Sequence, residues 1–460
     1  MENTNGLTIG IKERPKSIGQ WIVLSLQHVF AMFGATVLVP LITGLDVGVA
    51  LLASGIGTLI YILCTKGKAP VYLGSSFAYI AAIVGSVLAS ANALQVTVNG
   101  SIHNFISIWG DADNGVYGVM DAVNDGLFSF KDVYSSAFLG LIFVGLTYII
   151  VAIIIRFVGS AWLKKLLPPV VIGPMIIIIG LGLAPVAISS AGLNGASGWE
   201  VPLVATITFA TVVAISIFGK GFIKIVPFII AVFVGYVFAA ILGIVDWSNF
   251  DNLKVFTVPN VTFIGTYALN WTAVLTFIPL AFVTMAEHIG DHTVLGEICG
   301  EDFITDPGLD KTLLGDGIAT AVSAMLGGPA NTTYGENTGV VAMTKVGSVW
   351  VVGLAAVLAI FLGFIGIISA FINSIPWAVI GGMTVVLYGL IAGNGVKVLI
   401  KDKTDLSEMR NLIIVATMLV IGLGGASLPI NNVASLTGMS LAAVIGVVLN
   451  QVFTIVERKK

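Results

Sequence analysis

The chain has 460 residues, 57% of them hydrophobic and 10% charged, with a mean hydropathy of +1.03 and a formal net charge of −3. This composition excludes an ordinary soluble domain, and the near-neutral charge gives no basis for nucleic-acid binding. The two cysteines, Cys64 and Cys299, fit neither a disulfide framework nor a metal-ligand spacing and read as structural residues.

In chain order, Lys12, Arg14 and Lys16 precede the first apolar run, with no small-residue cleavage site after a short apolar core. Residues 1–20 therefore read as a retained cytoplasmic N-terminus rather than a removable signal. Apolar runs of roughly 18 to 25 residues follow, each long enough to cross a bilayer. They fall near 21–43, 47–65, 71–91, 134–156, 166–188, 201–219, 222–244, 270–290, 312–327, 329–346, 349–371, 376–394, 411–425 and 436–456. The third and tenth are irregular. Starting from the inside, this order puts Lys66, Arg156, Lys220, Lys311, Lys397 and the terminal "ERKK" on the inner face, and only Lys131 and Lys254 outside. That is the sorting short cytoplasmic loops impose. Both termini are then cytoplasmic, and the polar stretch at about 92–133 is an external loop or cap with no assigned chemistry.

A weak internal repeat divides the chain. "LLASGIGT" at 51–58 matches "LLGDGIAT" at 313–320, and each precedes a proline and a polar, glycine-containing stretch, "KAPVYLGSSFA" and "GGPANTTYGEN". The matching spans are the second and the ninth, an odd number apart, so the two copies run in opposite directions. Inverted repeats with interrupted segments in corresponding places point to a secondary transporter with its site at the midplane.

Pro70 and Pro329 break helix geometry, and the residues after each suggest a short extended segment leading into a half-helix. A half-helix N-terminus offers unpaired N–H donors and a partial positive charge. Two such ends, at Ser76–Phe77 and at Gly335–Glu336, are expected to face each other; the alternative is a pair of proline kinks whose polar groups satisfy one another. Carboxylates add to the first reading, because each costs about 2.5 to 3.5 kcal/mol at the centre of a membrane helix on insertion scales. Glu287, Asp291, Asp316 and Glu336 are the candidates. Glu287 and Asp291 are four residues apart and share one face of span 8, while His288 and His292 share a neighbouring face. Two stacked carboxylates in a low dielectric hold one charge more readily than two, which suits proton coupling. The competing readings are that the pair caps the cytoplasmic end of span 8 in water and that Asp316 is a hydrogen-bonded packing residue. A metal site at His288, Asp291 and His292 lacks the HExxH spacing, and His28 reads as a hydrogen-bonded core histidine. No cofactor, metal or nucleophile constellation emerges, so an enzyme is not expected.

The motifs "QHVFAMFGATVLVP" (27–40), "YLGSSFAYI" (72–80), "AEHIGD" (286–291) and "NTTYGENTGVVAMTK" (331–345) closely resemble the nucleobase/ascorbate transporter (nucleobase:cation symporter) family, and within it the uracil-carrying bacterial branch. The family signature, Gln, Glu or Pro, then Asn, any residue, Gly, four of any kind, Thr, then Arg, Lys or Gly, is satisfied by Glu336, Asn337, Gly339, Thr344 and Lys345. The resemblance implies an all-α polytopic membrane protein of about 14 segments in two inverted seven-span repeats, with spans 3 and 10 broken. It further implies a core domain at 21–156 and 246–371, a gate domain at 157–245 and 372–460, sliding of core against gate, and a homodimer in the cell membrane. By the same resemblance, Glu287 and Glu336 hold the base, the backbone amides of Phe77 and Gly335 meet its carbonyls, and Tyr334 and Ser76 lie close by. Glu287 and Asp291 would carry the coupled proton, supported by His28, Asn337, Thr338 and Asp316. Glu336 favours uracil, since purine carriers usually have Gln there. The expected partners are a small-molecule substrate, protons and the lipid bilayer. One departure stands out: some uracil carriers have His where this chain has Asp291.

Overall fold

The computed structural model describes residues 6–93, 95–98, 101–104, 129–195, 197–251, 253–261, 271–429 and 435–458. α1 (Ile18–Thr43) starts where the Ser17 side chain accepts from Gln20 N and ends at Gly44 in the left-handed region, φ 71°. α2 (Val47–Cys64) is capped by Asp46, whose Oδ1 accepts from Val49 N at 2.9 Å. The strand β1 (Leu73–Ser75) and a 3₁₀ turn at Phe77–Tyr79 lead into α3 (Ile80–Ala93), and an antiparallel hairpin, β2 (Gln95–Val98) and β3 (Ser101–Asn104), follows. The rest of the expected external loop lies outside the described residues until α4 (Phe130–Val158) begins.

α5 (Ala161–Leu166), α6 (Pro169–Gly182), α7 (Ala184–Ser190), α8 (Glu200–Phe218) and α9 (Pro227–Ile241) come next. The second half contains α10 (Trp271–Cys299), α11 (Leu309–Met325), the strand β4 (Asn331–Thr333), α12 (Gly335–Thr344), α13 (Val349–Gly363), α14 (Gly366–Asn373) and α15 (Trp377–Lys401). α16 (Met409–Leu423), the strands β5 (Ser427–Pro429) and β6 (Ser435–Thr437), and α17 (Gly438–Arg458) complete it. Among the described residues, eight helical segments are long and apolar enough to cross a membrane: α1, α2, α4, α6 with α7, α8, α10, α15 and α17. Four shorter apolar helices, at 77–91, 227–241, 349–363 and 409–423, accompany them.

Several expected boundaries move, among them that of the span at 376–394, which runs on to Lys401. The span read at 270–290 ends instead at Cys299, because "HTVLGEIC" keeps its helical bonding after its hydropathy falls. The span at 166–188 is interrupted at Leu183, where Pro185 cannot donate into the preceding turn, and the span at 349–371 breaks at Phe364–Ile365. A membrane interior gives helices no hydrophobic drive toward one another, so close approach of small residues carries the packing. α11 sits between α2 and α4, and a Cβ at Gly317 would lie 2.9 Å from the Gly145 carbonyl oxygen, a distance that permits glycine alone.

Candidate functional site

The two interrupted segments meet as one antiparallel ribbon. Leu73 pairs with Thr333, Gly74 with Thr332 and Ser75 with Asn331. Two further backbone bonds extend it, Ser76 N to Ala330 O at 2.8 Å and Tyr334 N to Tyr72 O at 3.2 Å. The octapeptide repeat has a physical meaning at this point: its final threonines, Thr58 and Thr320, are equivalent positions on α2 and α11, and each serves the strand that follows its own helix. Thr58 Oγ1 accepts from Leu73 N at 3.0 Å, and Thr320 Oγ1 donates to Asn331 O at 2.9 Å. Extended backbone buried away from water needs such partners. Gly74 is fixed by close approach, since a Cβ there would sit 2.8 Å from Thr36 Oγ1 and collide with the Tyr334 ring.

Beyond the ribbon both chains turn helical, and their first N–H groups have no partner inside the helix. Ser76, Phe77, Tyr334, Gly335 and Glu336 line one cavity of about 510 Å³. Glu287 and Asp291 enter it from α10, two turns or more before that helix ends at Cys299, so they do not cap its terminus in water. All seven residues expected to bind substrate or protons therefore share one chamber. Its chemistry is a set of acceptor carboxylates facing two groups of backbone donors, matched to a planar ligand with both N–H and carbonyl groups on its rim. Apolar side chains of α15 (Met383, Leu387, Ile391) and α6 (Ile176, Ile179) close the far wall, and Lys224 and Lys397 stand at its rim.

The supporting residues surround the chamber without lining it. Asn337 Nδ2 lies 3.1 Å from both His28 O and His28 Nδ1, which ties α12 to α1 and makes His28 a buried structural partner. Thr338 Oγ1 reaches back to Tyr334 O at 3.4 Å. Asp316 meets His288 Nδ1 at 2.8 Å, with both side chains buried, so it is not a ligand of the chamber.

Sequence reasoning missed several partners. Thr333 Oγ1 donates to Asp291 Oδ2 at 2.5 Å, which fixes that carboxylate from the ribbon. Thr332 lines the chamber, is buried, and its Oγ1 has no hydrogen-bond partner among the described residues. Behind the chamber, His292 Nδ1 bonds the His288 carbonyl at 2.7 Å, which requires a proton on Nδ1 and leaves Nε2 to accept from the Tyr61 hydroxyl. The His288 and His292 rings stack at 4.0 Å. One turn earlier on the same face, Thr284 Oγ1 meets the hydroxyls of Tyr79 at 2.8 Å and Tyr148 at 2.7 Å. The sequence already places His288 and His292 on one face; Thr284 extends that face by one turn as an i, i+4, i+8 polar stripe. Among the described residues no group of three or more His, Cys, Asp and Glu is arranged to hold a metal ion.

A bundle of apolar helices around a polar chamber, entered by two interrupted segments, defines a membrane transport protein. A family model described as "Permease family" (Xan_ur_permease) matches residues 19–431, and the chain belongs to this permease family. It is 43% identical over 454 residues to the protein named uracil permease of Bacillus caldolyticus, covering 97% of this chain and 94% of that one. It is 41% identical over 454 residues to the uracil permease of Bacillus subtilis (strain 168), covering 96% and 94%. In fold it resembles the structure of murine Solute Carrier 26 family member A9, an anion transporter in the inward-facing state, with a TM-score of 0.67 at 11% identity over 97% of this chain and 70% of that one.

Proposed function

We propose that the protein is a proton-coupled uracil importer of the cell membrane, with about fourteen segments in two inverted repeats. The observation that carries the reading is the convergence of Glu287, Asp291 and Glu336 with two half-helix N-termini on one chamber. Uracil presents two N–H donors and two carbonyl acceptors; Glu287 and Glu336 accept the former, and the amides at Phe77 and Gly335 donate to the latter. Proton coupling rests on Glu287 with Asp291 one turn away, since a single cavity carrying three carboxylates favours entry of a proton with the neutral base. The core, 21–156 with 246–371, moves against the gate, 157–245 with 372–460, and carries the ribbon and its ligand past the apolar wall. The protein works as a homodimer with both termini in the cytoplasm.

The test is uptake of labelled uracil into proteoliposomes, with and without an inward proton gradient and with excess xanthine. Gradient-dependent accumulation that ignores xanthine supports the reading. Full competition by xanthine replaces uracil with a purine as the cargo, and indifference to the gradient removes the proton role. Uptake of anions such as bicarbonate in place of bases would favour the chemistry of fold neighbours, although a chamber with three carboxylates argues against it.

A further inference from the structure

Outside the chamber, the N-terminal arm "LTIGIKER", residues 7–14, lies along the linker that joins α12 to α13. Thr8 N and Ile9 N both donate to Lys345 O, at 2.7 and 3.4 Å, Gly347 N donates to Ile9 O at 3.0 Å, and Val349 N donates to Ile11 O at 2.9 Å. Ile9 and Val346 form a parallel bridge. Side chains extend the attachment: Ser348 Oγ donates to Glu13 O at 2.5 Å, Trp350 Nε1 to Lys12 O at 3.2 Å and Trp21 Nε1 to Trp350 O at 2.8 Å. The Arg14 guanidinium stacks 3.7 Å above the Trp350 ring. Leu7 is buried in an apolar cluster with Tyr61, Leu295, Cys299 and Phe303. Its fit is tight, since a Cβ at Gly347 would sit 2.9 Å from Leu7 Cδ1.

Both ends of α12 are thereby defined. Its N-terminal end presents Gly335 and Glu336 to the chamber, and its C-terminal cap, Lys345, lies in the left-handed region at φ 56° and accepts the arm's hydrogen bonds at its carbonyl. A ten-residue helix transmits a shift of one end to the other, because its internal bonds keep it rigid over about 15 Å. A left-handed lysine costs free energy unless its surroundings hold it, and the two hydrogen bonds that Thr8 N and Ile9 N donate to its carbonyl supply that hold.

We propose that residues 7–14 are a positioning strap: docked along 345–350, they set the orientation of α12 and with it the placement of Glu336 against the ligand. The strap touches no substrate and acts through the half-helix. The consequence for transport rests on the function proposed above, whereas the consequence for α12 does not.

The experiment compares the full-length protein with Leu7→Asp/Ile9→Asp, which puts two charges into the arm's buried positions, and with Leu7→Met/Ile9→Val, which keeps them apolar. Hydrogen–deuterium exchange at the amides of 339–345 is measured together with uracil uptake. In the charged variant, exchange in α12 is expected to accelerate about tenfold and the KM for uracil to rise about tenfold with Vmax retained, while α2 and α4 keep their protection. The apolar variant is expected to match the parent in both. Unchanged α12 exchange in the charged variant overturns the strap, and accelerated exchange with an unchanged KM reduces the arm to a cover. If the parent itself takes up no uracil, the transport assignment fails and the exchange measurement alone decides the strap.

Discussion

Gly74 is a point of close approach in the ribbon, and Gly74→Ala tests how the ribbon is built. The added methyl would lie 2.8 Å from Thr36 Oγ1 and against the Tyr334 ring, so the ring must move. Tyr334 is held by its hydroxyl, which donates to Ser75 O at 2.9 Å and accepts from Thr36 Oγ1 at 3.2 Å, and it is the residue that caps α12. Overpacking of a closed interior costs about 1 to 3 kcal/mol, and each neutral hydrogen bond lost adds about 1 kcal/mol. The expected destabilisation is thus about 2 to 4 kcal/mol, accompanied by a rise in KM because Gly335 and Glu336 follow their cap. Thermal unfolding of the purified protein and uracil uptake are the assays. In a Tyr334→Leu background the ring is gone, and the same alanine is expected to cost about 1 kcal/mol less, a non-additivity that marks direct contact. A Gly74→Ala protein with parental stability and KM, or strictly additive effects in the double variant, would refute the close approach.

Other outcomes follow from the same geometry. Glu336→Ala and Glu287→Gln are expected to abolish saturable uracil uptake while leaving the protein folded, since the first removes the carboxylate acceptor and the second replaces one of its two acceptor oxygens with an NH2 donor; normal uptake by either would remove it from the site. Thr332→Val deletes an unpartnered hydroxyl at nearly constant volume, and a KM raised about fivefold or more would identify it as a ligand contact, against no change if it is only wall. Asn337→Ala breaks both links to His28 and leaves a buried imidazole short of a partner, so the unfolding midpoint is expected to fall by the equivalent of about 1 to 3 kcal/mol. Thr333→Val frees Asp291 from its hydroxyl donor, and the pH profile of uptake is expected to shift with it; an unmoved profile would remove Asp291 from the coupling.

The broken helices were legible because Pro70 and Pro329 each precede polar residues at membrane depth, a combination with few structural explanations. Glu287 and Asp291 were legible for the same reason, at a spacing that stacks them on one face. What escaped were pairings across helices distant in sequence, such as Tyr61 with His292 or Thr333 with Asp291, which no local pattern records. The end of α10 was misplaced because hydropathy follows the bilayer and not the helix, so a segment that stays helical beyond the apolar region reads as a loop. The arm at 7–14 was read only as a charged N-terminus; its short apolar alternation gains meaning only beside residues 345–350. Lys68 illustrates the same limit: no local pattern points to Asp306, yet its ammonium meets that carboxylate at 2.6 Å and holds it below the usual carboxylate range.

The β1–β4 ribbon ties the two donor ends of the chamber into a single piece. Neither end can retreat from the other without unzipping three residue pairs. The apolar wall, by contrast, belongs to α6 and α15, and among the described residues neither shares a backbone hydrogen bond with the ribbon. Under the function proposed above, recognition of the base and its release would therefore rest on different segments of the chain.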